Sequence, residues 1–137
     1  MFQSVPAMLF KTIEQHGKKD ALRYRKDGQL TRYTYQHFGD QIRYLTHGLA
    51  SVGLKSGDKI AILSNNRPEW TISDFAIFSL RCIVVPIYQT LPSNQIHYIL
   101  NDCEARAIFV EDQSQYDKIA AIKDDLPALE FIFSFEE

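Results

Sequence analysis

Four short apolar runs recur along the second half of the chain: Ile60-Ala61-Ile62-Leu63, Ile83-Val84-Val85, Ala107-Ile108-Phe109-Val110 and Phe131-Ile132-Phe133. Their zones open at 59, 83, 107 and 131, an interval of 24 residues each time. Consecutive apolar positions over so short a span are the pattern of a strand covered on both faces. Helical periodicity fills the gaps, near 68–81, 93–102 and 113–124. Strand and helix in alternation predict βαβ units and a parallel sheet. The constant interval reflects the size of a βα unit. The units do not resemble one another in sequence, which excludes a solenoid.

The front of the chain reads differently. Residues 5–16 form a short helix in which Val5, Met8, Leu9 and Ile13 share a face. Two strand-like runs, Ala21–Arg25 and Leu30–Tyr33, then flank Lys26-Asp27-Gly28-Gln29. Asp-Gly is a hairpin signal because glycine takes a positive φ without strain. A long amphipathic helix follows. Thr34 is its N-cap; Tyr35, Phe38, Ile42, Leu45, Leu49 and Val52 make its stripe; Gly53 ends it. The stripe is too short for a coiled coil and predicts one face laid on a sheet.

The helix near 68–81 is apolar all round, through Trp70, Ile72, Phe75, Ala76, Ile77, Phe78 and Leu80. Such a helix needs burial on more than one side. The last strand, Phe131-Ile132-Phe133-Ser134-Phe135, has no helix after it to cover it. Both features predict missing partners. The expected class is therefore α/β: a parallel Rossmann-like βαβ sheet covered by helices, preceded by a short helix and a β-hairpin. It reads as an incomplete N-terminal subdomain of a larger fold. Residues 1–33 carry the helix and hairpin and residues 34–137 the βα units, with the remainder absent.

Composition narrows the function classes. The chain has 137 residues, 45% hydrophobic and 23% charged, with a formal net charge of −2. That is enough apolar material for one core. Interspersed charge of low net value excludes nucleic acid as the main partner, since phosphate binding wants a basic face. No stretch approaches the roughly 20 apolar residues that span a bilayer. Met1-Phe2-Gln3-Ser4-Val5-Pro6 lacks a leader pattern, so a cytoplasmic chain is expected. Cys82 and Cys103 stand at no metal spacing and read as buried free thiols.

Recognisable catalytic chemistry is sparse. The six glycines form neither a dinucleotide fingerprint nor a phosphate loop, and no Cys/His cluster offers a metal site. His37 and His47 lie off their helix's apolar stripe and read as solvent-facing; Ser64, Ser73 and Ser79 lack a nucleophile-elbow context. No catalytic residue is assigned. Two loops are more informative because each follows a strand's carboxyl end, where open α/β sheets bind ligands. Ser64-Asn65-Asn66-Arg67-Pro68-Glu69-Trp70 is also a plain strand-to-helix connection, with Pro68 in the first helical turn and Glu69 complementing the helix dipole. Pro86-Ile87-Tyr88-Gln89-Thr90-Leu91-Pro92-Ser93 is also a proline-stiffened loop before a helix capped around Ser93.

These segments carry a resemblance. Thr34-Tyr35 opening a helix and Gly53-Leu54-Lys55-Ser56-Gly57-Asp58-Lys59-Ile60-Ala61-Ile62-Leu63 resemble the front of AMP-forming, adenylate-forming ligases. Asn65-Asn66-Arg67-Pro68-Glu69-Trp70, Val85-Pro86-Ile87-Tyr88-Gln89-Thr90-Leu91 and Gln95-Ile96-His97-Tyr98-Ile99-Leu100-Asn101-Asp102 look like the long-chain fatty acid–CoA ligase branch, from about residue 5 to 135. The Arg-Pro-Glu-Trp and Pro-Ile-Tyr parts discriminate; the Gly-Asp-Lys-Ile-Ala-Ile part is generic. The resemblance implies a parent using ATP, Mg2+ and coenzyme A. A fatty carboxylate attacks the α-phosphorus of ATP to give acyl-adenylate and pyrophosphate, and the thiol of coenzyme A then displaces AMP. The phosphate-gripping loop, the adenine and ribose motifs and the mobile lysine-bearing domain of that family lie beyond residue 137, so no activity and no tight cofactor binding are expected of this chain alone. By the same resemblance Tyr88 and Thr90 face the coenzyme A side of the cleft. Arg67 reads first as the partner of Glu69 or another carboxylate.

Three readings follow. The first is the front of a long-chain acyl-CoA synthetase whose partners are its own C-terminal remainder and a fatty acid, with a membrane-peripheral parent left open. The second is the front of an acyl-AMP ligase or a peptide-synthetase adenylation domain. The third, of another class, is a free-standing Rossmann-like binding or oligomerisation module. The first two predict exposed apolar surface and self-association; the third predicts a covered last strand.

Overall fold

The computed structural model describes residues 4–26 and 28–136. Asp27 of the expected hairpin turn, Met1–Gln3 of the segment read for a leader, and Glu137 lie outside them.

The elements run in the predicted order. Helix α1 (Val5–His16) precedes a hairpin of β1 (Asp20–Lys26) and β2 (Gln29–Thr34), and α2 (Tyr35–Ser51) follows. Then come β3 (Lys59–Leu63), α3 (Pro68–Ser79), β4 (Ile83–Ile87), α4 (Ser93–Asp102), β5 (Ala107–Val110), α5 (Gln113–Ala120) and β6 (Phe131–Ser134). The four strands of the main sheet begin at the positions the apolar runs marked. They are all parallel, in the order β4-β3-β5-β6.

Side-chain alternation divides the core in two. Ile60, Ile62, Ala107 and Phe109 pack with Leu9, Ile13, Phe38, Ile42 and Ile72, so α1, α2 and α3 cover one face. Ala61, Leu63, Ile108 and Val110 pack with Ile96, Leu100 and Ile119, so α4 and α5 cover the other. A continuous apolar run is required where both faces are dry, and β3 and β5 are the strands that need it.

Several expectations change. Ile83 is 50% exposed because β4 is an edge strand rather than a strand covered on both sides. Its edge place also admits Pro86, which has no N–H for an outer neighbour. In α1, Leu9 and Ile13 are buried, whereas Val5 and Met8 face out; Val52 of the α2 stripe is exposed too. Helix α2 does lay Phe38, Ile42 and Leu49 against Ile60, Ile62 and Phe109 of the sheet, and it also meets α3, α1 and the hairpin. Its neighbour α3 is buried through Ile72, Ser73, Ala76 and Ile77, but Phe78 remains exposed. Ser93 is the first helical residue of α4; the cap is Pro92, with no side-chain hydrogen bond. Cys82 is buried as expected, but Cys103 is only half-buried.

Three helices end alike. Gly53 (φ 87°), Arg81 (φ 60°) and Glu104 (φ 52°) take the left-handed conformation just after α2, α3 and α4. The next residue then donates back into the last turn: Leu54 N to Leu49 O (3.2 Å), Cys82 N to Ile77 O (3.0 Å), Ala105 N to Leu100 O (3.1 Å). Leu54, Cys82 and Ala105 are all buried, which supplies the apolar contact of this terminator. Arg81 and Glu104 adopt the conformation without glycine, at a cost of about 1 kcal/mol each.

At the amino ends of the strands Arg106 closes a polar latch. Its guanidinium donates to Glu130 Oε1 and Oε2 (2.9 and 2.7 Å), to Asp58 Oδ2 and to Gly53 O (3.4 Å). Hydrogen bonding from Arg106 holds the Glu130 carboxyl below the usual carboxylate range.

Two outcomes are expected. Thr34 Oγ1 accepts from His37 N (3.2 Å) at the start of α2, so Thr34→Ala should cost about 1 kcal/mol in denaturant unfolding. Because the folded Glu130 pKa is lowered, its contribution is present above the ordinary carboxylate range and is lost as pH falls through the lowered value. Glu130→Gln should flatten that part of the stability–pH curve, with a modest, salt-sensitive effect because the side chain is half-exposed.

Candidate functional site

The sheet order creates a crevice at the carboxyl ends of the strands. The chain leaves β3 toward the face that carries α3, whereas it leaves β4 and β5, on either side of β3, toward the face carrying α4 and α5. Divergence of adjacent connections opens a gap between them, the place where open α/β sheets hold ligands. Here the gap is a cavity of about 550 Å³. Ser64, Asn65, Asn66 and Trp70 line one side; Pro86, Ile87, Tyr88 and Gln89 line the other.

Both loops singled out from the sequence thus meet in one site. Tyr88 lines it and is 79% exposed. Thr90 is exposed in the turn just beyond, where Leu91 N donates to Tyr88 O (3.1 Å), and is not among the lining residues. Ser64 is buried and its hydroxyl donates to Asn65 O (2.9 Å), so it is held in the loop. His37 and His47 are exposed on α2, as expected. No group of three or more His, Cys, Asp or Glu able to hold a metal ion occurs among the described residues. No helix among them is long and apolar enough to cross a membrane.

Polar side chains join the ends of the four strands. Asn65 N and Nδ2 donate to Glu111 Oε2 and Oε1 (2.9 and 3.4 Å), and Gln89 Nε2 donates to Asn65 Oδ1 (2.6 Å). The main-chain oxygen of Gln89 accepts from Gln115 Nε2 (3.3 Å) and Lys118 Nζ (3.0 Å) of α5. Arg67 donates to Glu69 Oε2 (2.8 Å) and Glu136 Oε1 (2.9 Å), and its Nη1 lies 3.9 Å from Glu111 Oε1. Arg67 is therefore the structural partner of carboxylates. It also lies over the Phe135 ring, 5.6 Å from its centroid. Glu111, Gln115 and Lys118 escape a reading of the sequence. Glu111 had one signal: it directly follows the β5 run, as Ser64 follows β3.

A second concavity, about 660 Å³, lies between α2, α3 and the sheet. Leu45, Ile72, Phe109, Phe133 and Phe135 line it, with Ser73, whose buried hydroxyl has no hydrogen-bond partner among the described residues. The apolar surface expected beside the last strand is this groove.

Comparison with known proteins places the geometry. A family model described as AMP-binding enzyme matches residues 9–135. The long-chain-fatty-acid–CoA ligase FadD15 of Mycobacterium bovis is 36% identical over 128 residues, covering 92% of this chain and 21% of the relative. The long-chain-fatty-acid–CoA ligase ACSBG2 of Xenopus laevis is 31% identical over 127 residues, covering 93% and 17%. Among solved structures, the anthranilate CoA ligase AuaEII in complex with anthranoyl-AMP superimposes with a TM-score of 0.89 at 27% identity, covering 98% of this chain and 25% of that one. The N-terminal subdomain of Klebsiella oxytoca NpsA gives 0.79 at 21% identity, a likeness of fold alone, over 98% and 31%. The chain spans about a fifth of the length of the curated relatives it matches.

Removing the Arg67 cation leaves three carboxylates facing one another. Arg67→Met should lower unfolding free energy by about 1–2 kcal/mol, part of the gain being screened at exposed Glu136. A companion Glu69→Gln change should recover part of that loss.

Proposed function

The chain belongs to the AMP-binding enzyme family, and from that premise we propose that it is the N-terminal part of a long-chain fatty acid–CoA ligase. The observation that carries the reading is agreement over nearly the whole chain with ligases named for that reaction. The complete enzyme would join a fatty acid to coenzyme A with ATP and Mg2+, in a cytoplasmic setting.

The residues present do not fit the phosphates or the metal. Among the described residues there is no group of three or more metal ligands, and of the cations beside the crevice Arg67 is committed to carboxylates and Lys118 to the Gln89 carbonyl. Gripping a polyanion while a carboxylate approaches it needs a fixed cationic site. Those groups belong to other parts of the enzyme in this proposal, and the chain alone is inactive. What the crevice offers is neutral: amide and hydroxyl groups beside the rings of Trp70 and Tyr88. That lining suits the uncharged, amide-bearing arm of a thiol better than a nucleotide's phosphates. We assign Tyr88 to the coenzyme A side on this ground, and Thr90, exposed in the turn just beyond, by the family resemblance. The apolar groove along Phe109, Phe133 and Phe135 is assigned to the enzyme's own remaining chain, and its exposure would drive self-association of the isolated chain.

A front portion of an acyl-AMP ligase or a peptide-synthetase adenylation domain is the second reading, since the fold is shared with an artificially fused adenylation–PCP di-domain built on NpsA. The acceptor separates the two readings.

The decisive measurement is fatty-acid-dependent ATP–pyrophosphate exchange and acyl-CoA formation, with the 137-residue chain beside the product of the complete reading frame. Both activities are expected in the longer product alone. Exchange by the short chain would overturn its assigned inactivity. Exchange without transfer to coenzyme A in the longer product would favour the acyl-AMP ligase.

A further inference from the structure

One end of the polar chain at the crevice has a fixed sense. An ionised carboxylate only accepts hydrogen bonds, so Glu111 can engage Asn65 solely through donors, the main-chain N–H and Nδ2. With Nδ2 turned to Glu111, Asn65 presents Oδ1 to its other neighbour. Gln89 must then meet it with Nε2, and does so at 2.6 Å. The remaining atom of the Gln89 amide, Oε1, has no partner among the described residues, and Gln89 lines the crevice. The backbone of Gln89 is held separately by Gln115 and Lys118, so the side chain swings from a fixed base. Glu111 is not among the lining residues and reaches the crevice only through Asn65.

We propose that Glu111 is a positioning residue which, through Asn65, orients Gln89 so that its side-chain carbonyl accepts a hydrogen bond from an amide N–H or hydroxyl of the bound thiol's arm. Gln89 is the specificity-determining residue of the pair. The inference rests on the ligase reading above, because it takes coenzyme A as the occupant. It follows from donor and acceptor bookkeeping: a glutamine at 111 could donate as well as accept, and both amides could then reverse.

The test is steady-state kinetics of the complete gene product carrying Glu111→Gln, Gln89→Met, or both. Each single change is expected to raise the KM for coenzyme A by about two- to tenfold, the range of one hydrogen bond, with a smaller change in kcat. The double variant should be no worse than the poorer single one, since the two residues act in series. Thiol-independent ATP–pyrophosphate exchange should fall less than coenzyme A use. An unchanged KM for coenzyme A, additive effects, or an equal loss of both half-reactions would overturn the proposal while leaving the ligase reading intact. A wild-type product that performs no exchange would instead remove the reading and the inference with it.

Discussion

The structure depends on one constraint: β3 and β5 lie side by side with no water on either face. Ile60 to Leu63 and Ala107 to Val110 are each no more than 4% exposed. Their main-chain N–H and C=O groups must therefore be satisfied within the sheet, and parallel pairing with β4 and β6 achieves this. A parallel ladder in turn demands crossover helices. Burial on both faces demands that those helices be shared between the two sides. Once α3 takes one face and α4 and α5 the other, the connections at the carboxyl ends diverge from neighbouring strands. The crevice is a geometric consequence of covering the central strands.

The two ends of the sheet use polar groups differently. At the amino ends, Arg106 gathers Asp58, Glu130 and the Gly53 carbonyl into a latch that ties the loops entering β3, β5 and β6. At the carboxyl ends, the charges of Arg67 and its carboxylates sit to one side, and neutral amides face the cavity. A neutral lining that is itself hydrogen-bonded holds its shape without the desolvation cost of burying charge. This division leaves the crevice with a neutral wall.

Much of the fold was legible in the sequence. Apolar runs at a constant interval mark all four strands; in β3 and β5 the cause is that a strand dry on both faces must be apolar throughout. Thr34 and Gly53 mark the ends of α2, because a side-chain cap and a positive φ each favour few residue types. The ends of α3 and α4 left no such mark: Arg81 and Glu104 take the same left-handed turn, compelled by the burial of Cys82 and Ala105 beyond them. Which strands are edges was equally hidden. Ile83-Val84-Val85 has the composition of a central strand, and only the order of pairing exposes it. Val5, Met8 and Val52 fit their apolar stripes by spacing, yet each stripe runs past the surface that covers it.

For the candidate site, the sequence by itself determined which two loops follow strand ends and carry polar side chains beside proline and an aromatic ring. It also carries no glycine-rich phosphate motif and no Cys/His metal spacing beside them. Tertiary structure alone decided that the two loops face each other, that Tyr88 lines the cavity while Thr90 does not, and that Glu111, 46 residues from Asn65, accepts its hydrogen bonds. The physical reason lies in range. Periodicity, caps and turns act over a few residues and leave their trace in local order. A hydrogen-bond chain across three strand ends depends on sheet order and on which face each helix takes, and those are set by packing.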